Sequence, residues 1–213
     1  MKIKINEIYY SIQGESSFSG LPCIFIRLTY CNLRCSYCDT EYAFYDGKDM
    51  SISEIIKKTN SFNCDLVEIT GGEPLLQNGC IELIKELQKI NKKVLIETGG
   101  SLPINNIPKK THIILDLKCP SSKMENKNLW SNIKFLRTRD EVKFVIGDLT
   151  DYKWAKKVIN KYNLNKKCSL LFSPLYNKIE SKTIAEWILK DNLDVRFQIQ
   201  LHKEIWDADK KGV

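Results

Sequence analysis

The sequence predicts an α/β fold: an incomplete, TIM-like barrel of about six parallel strands with helices outside and an N-terminal strand and loop extension. Three observations carry this. From residue 23 onward, short β-branched or aromatic runs alternate with stretches of helical periodicity, the pattern of parallel β-α units. The segments Thr70-Gly-Gly-Glu73, Glu97-Thr-Gly-Gly100, Asp116-Leu-Lys118 and Ser173-Pro174 all fall at the C-terminal ends of expected strands, the edge where parallel α/β folds bind ligands. The chain has 213 residues, short of the roughly 250 that eight such units need.

Residues 2–10 alternate Ile3, Ile5 and Ile8 with Lys2, Lys4 and Glu7, a first strand that Gly14 turns. Residues 23–30 form a strand whose end delivers a cysteine-rich loop. Arg27 sits inside that apolar run, where a guanidinium must face an edge or engage an anion. Ser51 and Glu54 form a capping box for a helix with Ile52, Ile55 and Ile56 on its apolar stripe. Asp65–Thr70 is a short strand, 78–90 a helix through Cys80, Leu83, Ile84 and Leu87, and 93–97 and 112–118 two more strands. Strand 142–146, helix 151–162, strand 169–172, helix 181–190 and a last strand, 194–201, complete the series.

With 43% apolar residues and no low-complexity tract, residues 1–213 read as one domain. The amino terminus lacks an apolar signal core and no run approaches a membrane span, so a cytoplasmic protein without membrane contact is expected. The charge of +7 comes mostly from scattered lysine pairs such as Lys92-Lys93 and Lys166-Lys167, a solvated surface rather than a nucleic-acid footprint.

Eight cysteines in a reducing compartment point to metal or catalytic thiols before disulfides. Cys31-Asn-Leu-Arg-Cys35-Ser-Tyr-Cys38 can aim three thiolates into one small volume from a single loop. A structural zinc or a fully ligated 4Fe-4S cluster needs a fourth ligand, which the run does not supply; three thiolates leave one iron open. Cys23, Cys64, Cys80, Cys119 and Cys168 read as small packing residues, and His112 and the Trp130, Trp154 and Trp187 rings as structural.

The cysteine loop resembles the signature of the radical S-adenosylmethionine superfamily, and Gly71-Gly-Glu-Pro74 resembles its GGEP motif. Ser11-Ile-Gln-Gly-Glu15, Phe25-Ile-Arg-Leu28, Cys38-Asp-Thr40, Ile69–Pro74, Glu97-Thr-Gly99, Asp116–Pro120 and the ending Gln200-Leu-His-Lys203 are similar to the 7-carboxy-7-deazaguanine synthase family. The resemblance implies a 4Fe-4S cluster on Cys31, Cys35 and Cys38, S-adenosylmethionine along Tyr37, Cys38, Asp39, Gly72, Glu73, Asp116, Leu117 and Lys118 with Ser173, Pro174, Leu175 and Tyr176 at its adenosyl end, and Mg2+ on the Thr40 hydroxyl. It also implies that Ile12, Gln13, Gly14, Arg27, Thr70 and the Val213 carboxylate hold a pterin, 6-carboxy-5,6,7,8-tetrahydropterin, whose ring is contracted with loss of ammonia on the way to queuosine and other deazapurines. A flavodoxin or ferredoxin as electron donor and a homodimer are implied likewise. Two departures stand out: Tyr30 precedes the first cysteine where the family often has Gly, and Asp116-Leu117 replaces a Ser-Pro pair. The competing readings are a glycyl-radical-activating enzyme of the same superfamily, and a zinc- or nucleic-acid-binding module.

Overall fold

A computed structural model describes residues 1–213. Its nine strands form one sheet in the order β3-β1-β2-β4-β5-β6-β7-β8-β9. β1 (Lys2–Ile12) runs antiparallel to β2 (Pro22–Leu28) and to β3 (Lys48–Ser51). β2, β4 (Leu66–Gly71), β5 (Lys93–Thr98), β6 (His112–Asp116), β7 (Glu141–Ile146) and β8 (Ser169–Pro174) pair in parallel, and β9 (Arg196–Phe197) adds two residues to that run. The open sheet with about six full-length parallel strands is the expected partial barrel.

Helices α1 (Ile52–Asn60), α2 (Gly79–Lys89), α3 (Leu149–Tyr162) and α4 (Ser181–Lys190) close the connections. The Ser51–Glu54 capping box forms at α1, and Asp148 caps α3 by accepting from the Asp151 N–H. A core of 36 buried residues gathers Ile24, Ile26, Val67, Ile69, Val94 and Ile96 from the strands with Leu83, Ile84, Leu87, Ala155 and Ile184 from the helices. Strand side chains alternate in direction, so the intervening residues form the other, concave face. There Cys23, Phe25, Leu66, Leu95 and Ile114 make a small apolar cluster against Phe18.

Phe18 belongs to the β1–β2 loop, which folds back against the concave face instead of making a tight hairpin. The Ser17 N–H and hydroxyl both donate to Glu141, whose Oε1 also lies 3.2 Å from His112 Nε2, and the Phe18 ring meets His112 edge-on at 4.9 Å. His112 is thus structural, as expected. Cys23, Cys80, Cys119 and Cys168 are buried packing residues; Cys64 is half-buried, its thiol donating to the Pro22 carbonyl at 3.3 Å.

Two elements differ from expectation. β3 was not anticipated, because Lys48-Asp49-Met50-Ser51 carries no apolar alternation; its partner β1 decides it. The last strand is two residues long where eight were expected. The Gln198 N–H still donates to Phe172, but β8 ends at Pro174, which has no N–H with which to continue a ladder, and the chain leaves the sheet for a short helix, α5 (Leu201–Ile205).

Candidate active site

A cavity of about 900 Å3 opens at the C-terminal ends of the parallel strands. Cys31, Cys35 and Cys38 line it together, all free and all half-buried, from the loop that follows β2. That loop is anchored across the sheet: the Ser36 N–H and hydroxyl donate to the Ser122 and Ser121 carbonyls, the latter at 2.6 Å, and the Cys38 N–H to Cys35. Burial pushes the Cys35 thiol up to about 11, with the Lys118 ammonium pulling against it. A metal that takes this sulfur therefore displaces a proton.

The turn after β4 supports the cysteine loop from below. A Cβ on Gly72 would stand 2.4 Å from the Tyr30 carbonyl oxygen and 2.6 Å from Cys31 Cβ, so only glycine fits. The Glu73 N–H donates to that same Tyr30 carbonyl at 2.8 Å. Tyr30 itself has φ of 80°, a left-handed conformation that a tyrosine adopts only under constraint, which gives the departure from glycine at this position its physical meaning.

Glu73 and Leu117, both expected along the cofactor, do not line the cavity. The Glu73 carboxylate is fully buried and accepts from the Thr98 hydroxyl (2.8 Å), the Gly99 N–H (2.8 Å) and the Leu75 N–H (3.1 Å). It ties the glycine turn to the end of β5. Leu117 points into the core, as its place between two cavity-facing neighbours on an extended segment requires. Every other expected residue borders the one cavity: Ile12, Gln13, Gly14, Arg27, Tyr37, Asp39, Thr40, Thr70, Gly72, Asp116, Lys118, Ser173, Pro174, Leu175, Tyr176 and Val213.

The geometry tests the implied cofactors. No three His, Cys, Asp or Glu side chains converge as the ligands of a single ion would. Three separate thiols around one end of a cavity suit a cluster, whose irons take one thiolate each. Beside them the Tyr37 hydroxyl and Asp116 Oδ1 are buried with no protein partner, while Asp116 Oδ2 accepts from Lys118 at 2.8 Å. Unpaired buried polar atoms of this kind are an unfilled demand for a polar ligand. The residues fit the cluster and S-adenosylmethionine. Thr40 Oγ1, 3.7 Å from Cys38 Sγ, is an oxygen of the type that Mg2+ takes.

Arg27, which lines the same cavity, donates to Glu7 Oε1 at 2.7 Å and to the Tyr9 hydroxyl at 3.1 Å, which leaves Nη1 without a protein partner. Burial works against its charge, but Tyr9, Tyr42 and Glu7 outweigh burial and keep it cationic. Gln13 is committed: its amide N–H donates to Glu68 and its carbonyl oxygen accepts from the Glu15 N–H at 3.1 Å. Its side chain braces the loop, its backbone N–H donates to Leu21 and its backbone carbonyl accepts from Gly20, and Gly14 beside it lines the cavity.

A charged group that lines the cavity escaped the sequence reading. Lys143, at the centre of β7 and 6% exposed, donates to Glu15 and, at 2.8 Å, to Glu97. Glu68 stands nearby with no cation of its own. Each occupies the inward position of an otherwise apolar strand (Leu-Val-Glu-Ile-Thr, Val-Leu-Ile-Glu-Thr, Val-Lys-Phe-Val-Ile), and that single interruption was the available signal. Burial, then the Glu97 charge, raises the Glu68 pKa from 4.5 to about 8. Below pH 4.5 Glu68 is protonated folded or unfolded; between 4.5 and 8 only the unfolded chain releases the proton, so this group makes stability fall as pH rises through that window. Glu68→Gln removes the effect: its melting temperature should exceed that of wild type by a margin that widens from pH 5 to pH 8 in calorimetric scans.

A partial parallel barrel whose cavity sets three open thiols of one loop beside a Gly-Gly-Glu turn defines a radical S-adenosylmethionine protein, and residues 25–165 match the model of the radical SAM superfamily. Over 99% of its length the chain is 45% identical to the 7-carboxy-7-deazaguanine synthase of Chlorobaculum tepidum, covering 97% of that protein, and it is 41% identical to the synthase of Clostridium acetobutylicum over the full length of both. The chain belongs to the 7-carboxy-7-deazaguanine synthase family. Its fold superposes on the crystal structure of QueE from Escherichia coli with a TM-score of 0.79 at 22% identity, covering 95% of each chain. Membership implies a 4Fe-4S cluster and S-adenosylmethionine as cofactors, and the full-length match to synthases decides against the activase and the zinc-module readings. No helix is long and apolar enough to cross a membrane.

Proposed function

We propose that this chain contracts the ring of 6-carboxy-5,6,7,8-tetrahydropterin to 7-carboxy-7-deazaguanine with loss of ammonia. The supporting observation is one cavity lined both by the three thiols of the cysteine loop and by a half-buried Arg27 with an unpartnered Nη1. Cys31, Cys35 and Cys38 would hold the cluster, which together with S-adenosylmethionine would supply radical abstraction of a hydrogen atom from the substrate. The protein binds and orients. Arg27, fixed by Glu7 and Tyr9, receives the pterin carboxylate as a charge-assisted pair. Gly14 and the backbone of Ile12 and Gln13 bound the ring, with Thr70 and the Val213 carboxylate at its edges.

Tyr37, Asp39, Gly72, Asp116, Lys118 and the Ser173–Tyr176 segment border the volume assigned to S-adenosylmethionine, and the Thr40 hydroxyl would hold Mg2+ beside the substrate. One neutral oxygen binds this ion weakly, so it should enter with the substrate. A flavodoxin or ferredoxin as donor, a homodimer and a cytoplasmic location complete the reading.

Anaerobic turnover of pterin deuterated at the carboxylate-bearing carbon should pass label to S-adenosylmethionine; turnover without transfer would refute the abstraction step. Thr40→Ala should raise the Mg2+ concentration needed for half-maximal rate by about tenfold, the equivalent of 1.4 kcal/mol. An unchanged Mg2+ dependence refutes the Thr40 assignment.

A further inference from the structure

Three chain segments that border the cavity from different strands meet on the start of one short helix. Gln200 Nε2 donates to Glu15 Oε1 of the β1–β2 loop at 2.9 Å and to Asp39 Oδ2 of the cysteine loop at 3.3 Å. Lys203 Nζ donates to the same Asp39 oxygen at 2.9 Å and sits 4.9 Å from the ring centroid of Tyr176, in the segment after β8. The Lys203 side chain is 8% exposed, although lysines are rarely buried unless paired. The Leu201 N–H donates to the Gly14 carbonyl at 3.0 Å, and a Cβ on Gly14 would stand 2.3 Å from His202 Nδ1, so helix and loop are in direct contact.

Asp39 is the point of leverage. It lies between Cys38 and Thr40, and both of its recorded side-chain partners come from the carboxy-terminal segment. Neither Gln200 nor Lys203 has a second acceptor that would hold it away from Asp39, apart from Glu15, which belongs to the substrate side. The seated helix thus bridges the cysteine loop and the β1–β2 loop, through a Lys203 that is 8% exposed and an Asp39 carboxylate that is 51% exposed.

We propose that Gln200 and Lys203 are positioning residues that clasp Asp39, so that seating of the carboxy-terminal helix over the cavity and placement of the Cys38–Thr40 segment are one event. The proposal rests on the cavity being the site of the reaction above. Its consequence is reciprocal coupling: a ligand that fixes the cysteine loop steadies the helix, and the helix, once seated, tightens that ligand by the same factor.

Hydrogen exchange read by mass spectrometry tests this on the protein without added ligand. The Ser36 and Cys38 amides of the cysteine loop and the Leu201 and Trp206 amides of the helix are all hydrogen-bonded and report each side separately. Lys203→Met should speed exchange in residues 31–40 at least fivefold, and Asp39→Asn should do the same in residues 200–206. Lys203→Arg, which keeps the charge, should stay within twofold of wild type. Unchanged exchange in β5 shows that each variant is folded. In reconstituted protein, S-adenosylmethionine should slow exchange in 200–206, and Lys203→Met should weaken its binding about fivefold. Cysteine-loop exchange that ignores Lys203→Met overturns the clasp, even where turnover persists. Reciprocal exchange in a wild type that neither assembles a cluster nor turns over the pterin would uphold the clasp and overturn the functional reading.

Discussion

Lys143→Met should destabilise the protein by about 3–5 kcal/mol, because it removes one partner of a buried ion group and leaves the others uncompensated. The Lys143 ammonium is the only cation within ion-pair distance of Glu15 and Glu97, and Glu68 already lies beside them without one. For a chain of this size the melting temperature should fall by roughly 10 °C. The loss should shrink in acid, where the stranded carboxylates take up protons, and Glu97→Gln added to Lys143→Met should restore part of it. Turnover should drop by about 100-fold or more, since Glu15 and the backbone of Gln13 and Gly14 lose their anchor and small displacements at a reacting centre cost on that order. Thermal scans at pH 5.5 and pH 8 on both variants check the stability claim. A Lys143→Met protein as stable as wild type at pH 8 would refute the charge argument.

The second large effect is expected at Gly72. In Gly72→Ala the new methyl meets a backbone carbonyl and the Cβ of Cys31, neither of which can yield without moving the loop. The carbonyl belongs to Tyr30, already held at φ 80° and already receiving the Glu73 N–H. The cysteine loop should shift, with reconstituted iron falling below about a tenth of the roughly four atoms a 4Fe-4S cluster holds and turnover lost with it. Gly99→Ala is the comparison: its methyl would meet Leu33 Cδ1 at 2.9 Å, the far end of a side chain rather than backbone, so iron content should fall less than in Gly72→Ala. Normal iron in Gly72→Ala would mean that the turn does not support the loop.

Much of the fold could be read from alternation, since each parallel strand is a short β-branched or aromatic run and each helix has an apolar stripe at helical spacing. The capping box at Ser51 and Glu54 was legible because both partners lie in one turn. β3 and the truncated β9 were not, because what decides them is the strand beside them. The site divides in the same way. The cysteine loop, the glycine turn and Arg27 announce themselves by residue type within a few positions. Glu73 belongs to a motif that suggests ligand contact, yet its carboxylate is spent on Thr98, Gly99 and Leu75, a commitment visible only once β5 is beside the turn. The Glu15–Lys143–Glu97 group joins residues up to 128 positions apart, and no local pattern pairs them.

That separation has a kinetic side. Ser17 reaches Glu141 across 124 positions, Lys143 reaches Glu15 across 128, and Gln200 reaches Glu15 across 185. Non-local contacts form only after the loop-closure entropy between them has been met, and parallel sheets are slow for this reason. In refolding, the β-α units should collect first and the charged lining of the cavity last, when the β1–β2 loop can find β7. Secondary structure should then recover ahead of any ability to accept a cluster, so iron supplied early in refolding should stay unbound until the two ends have met.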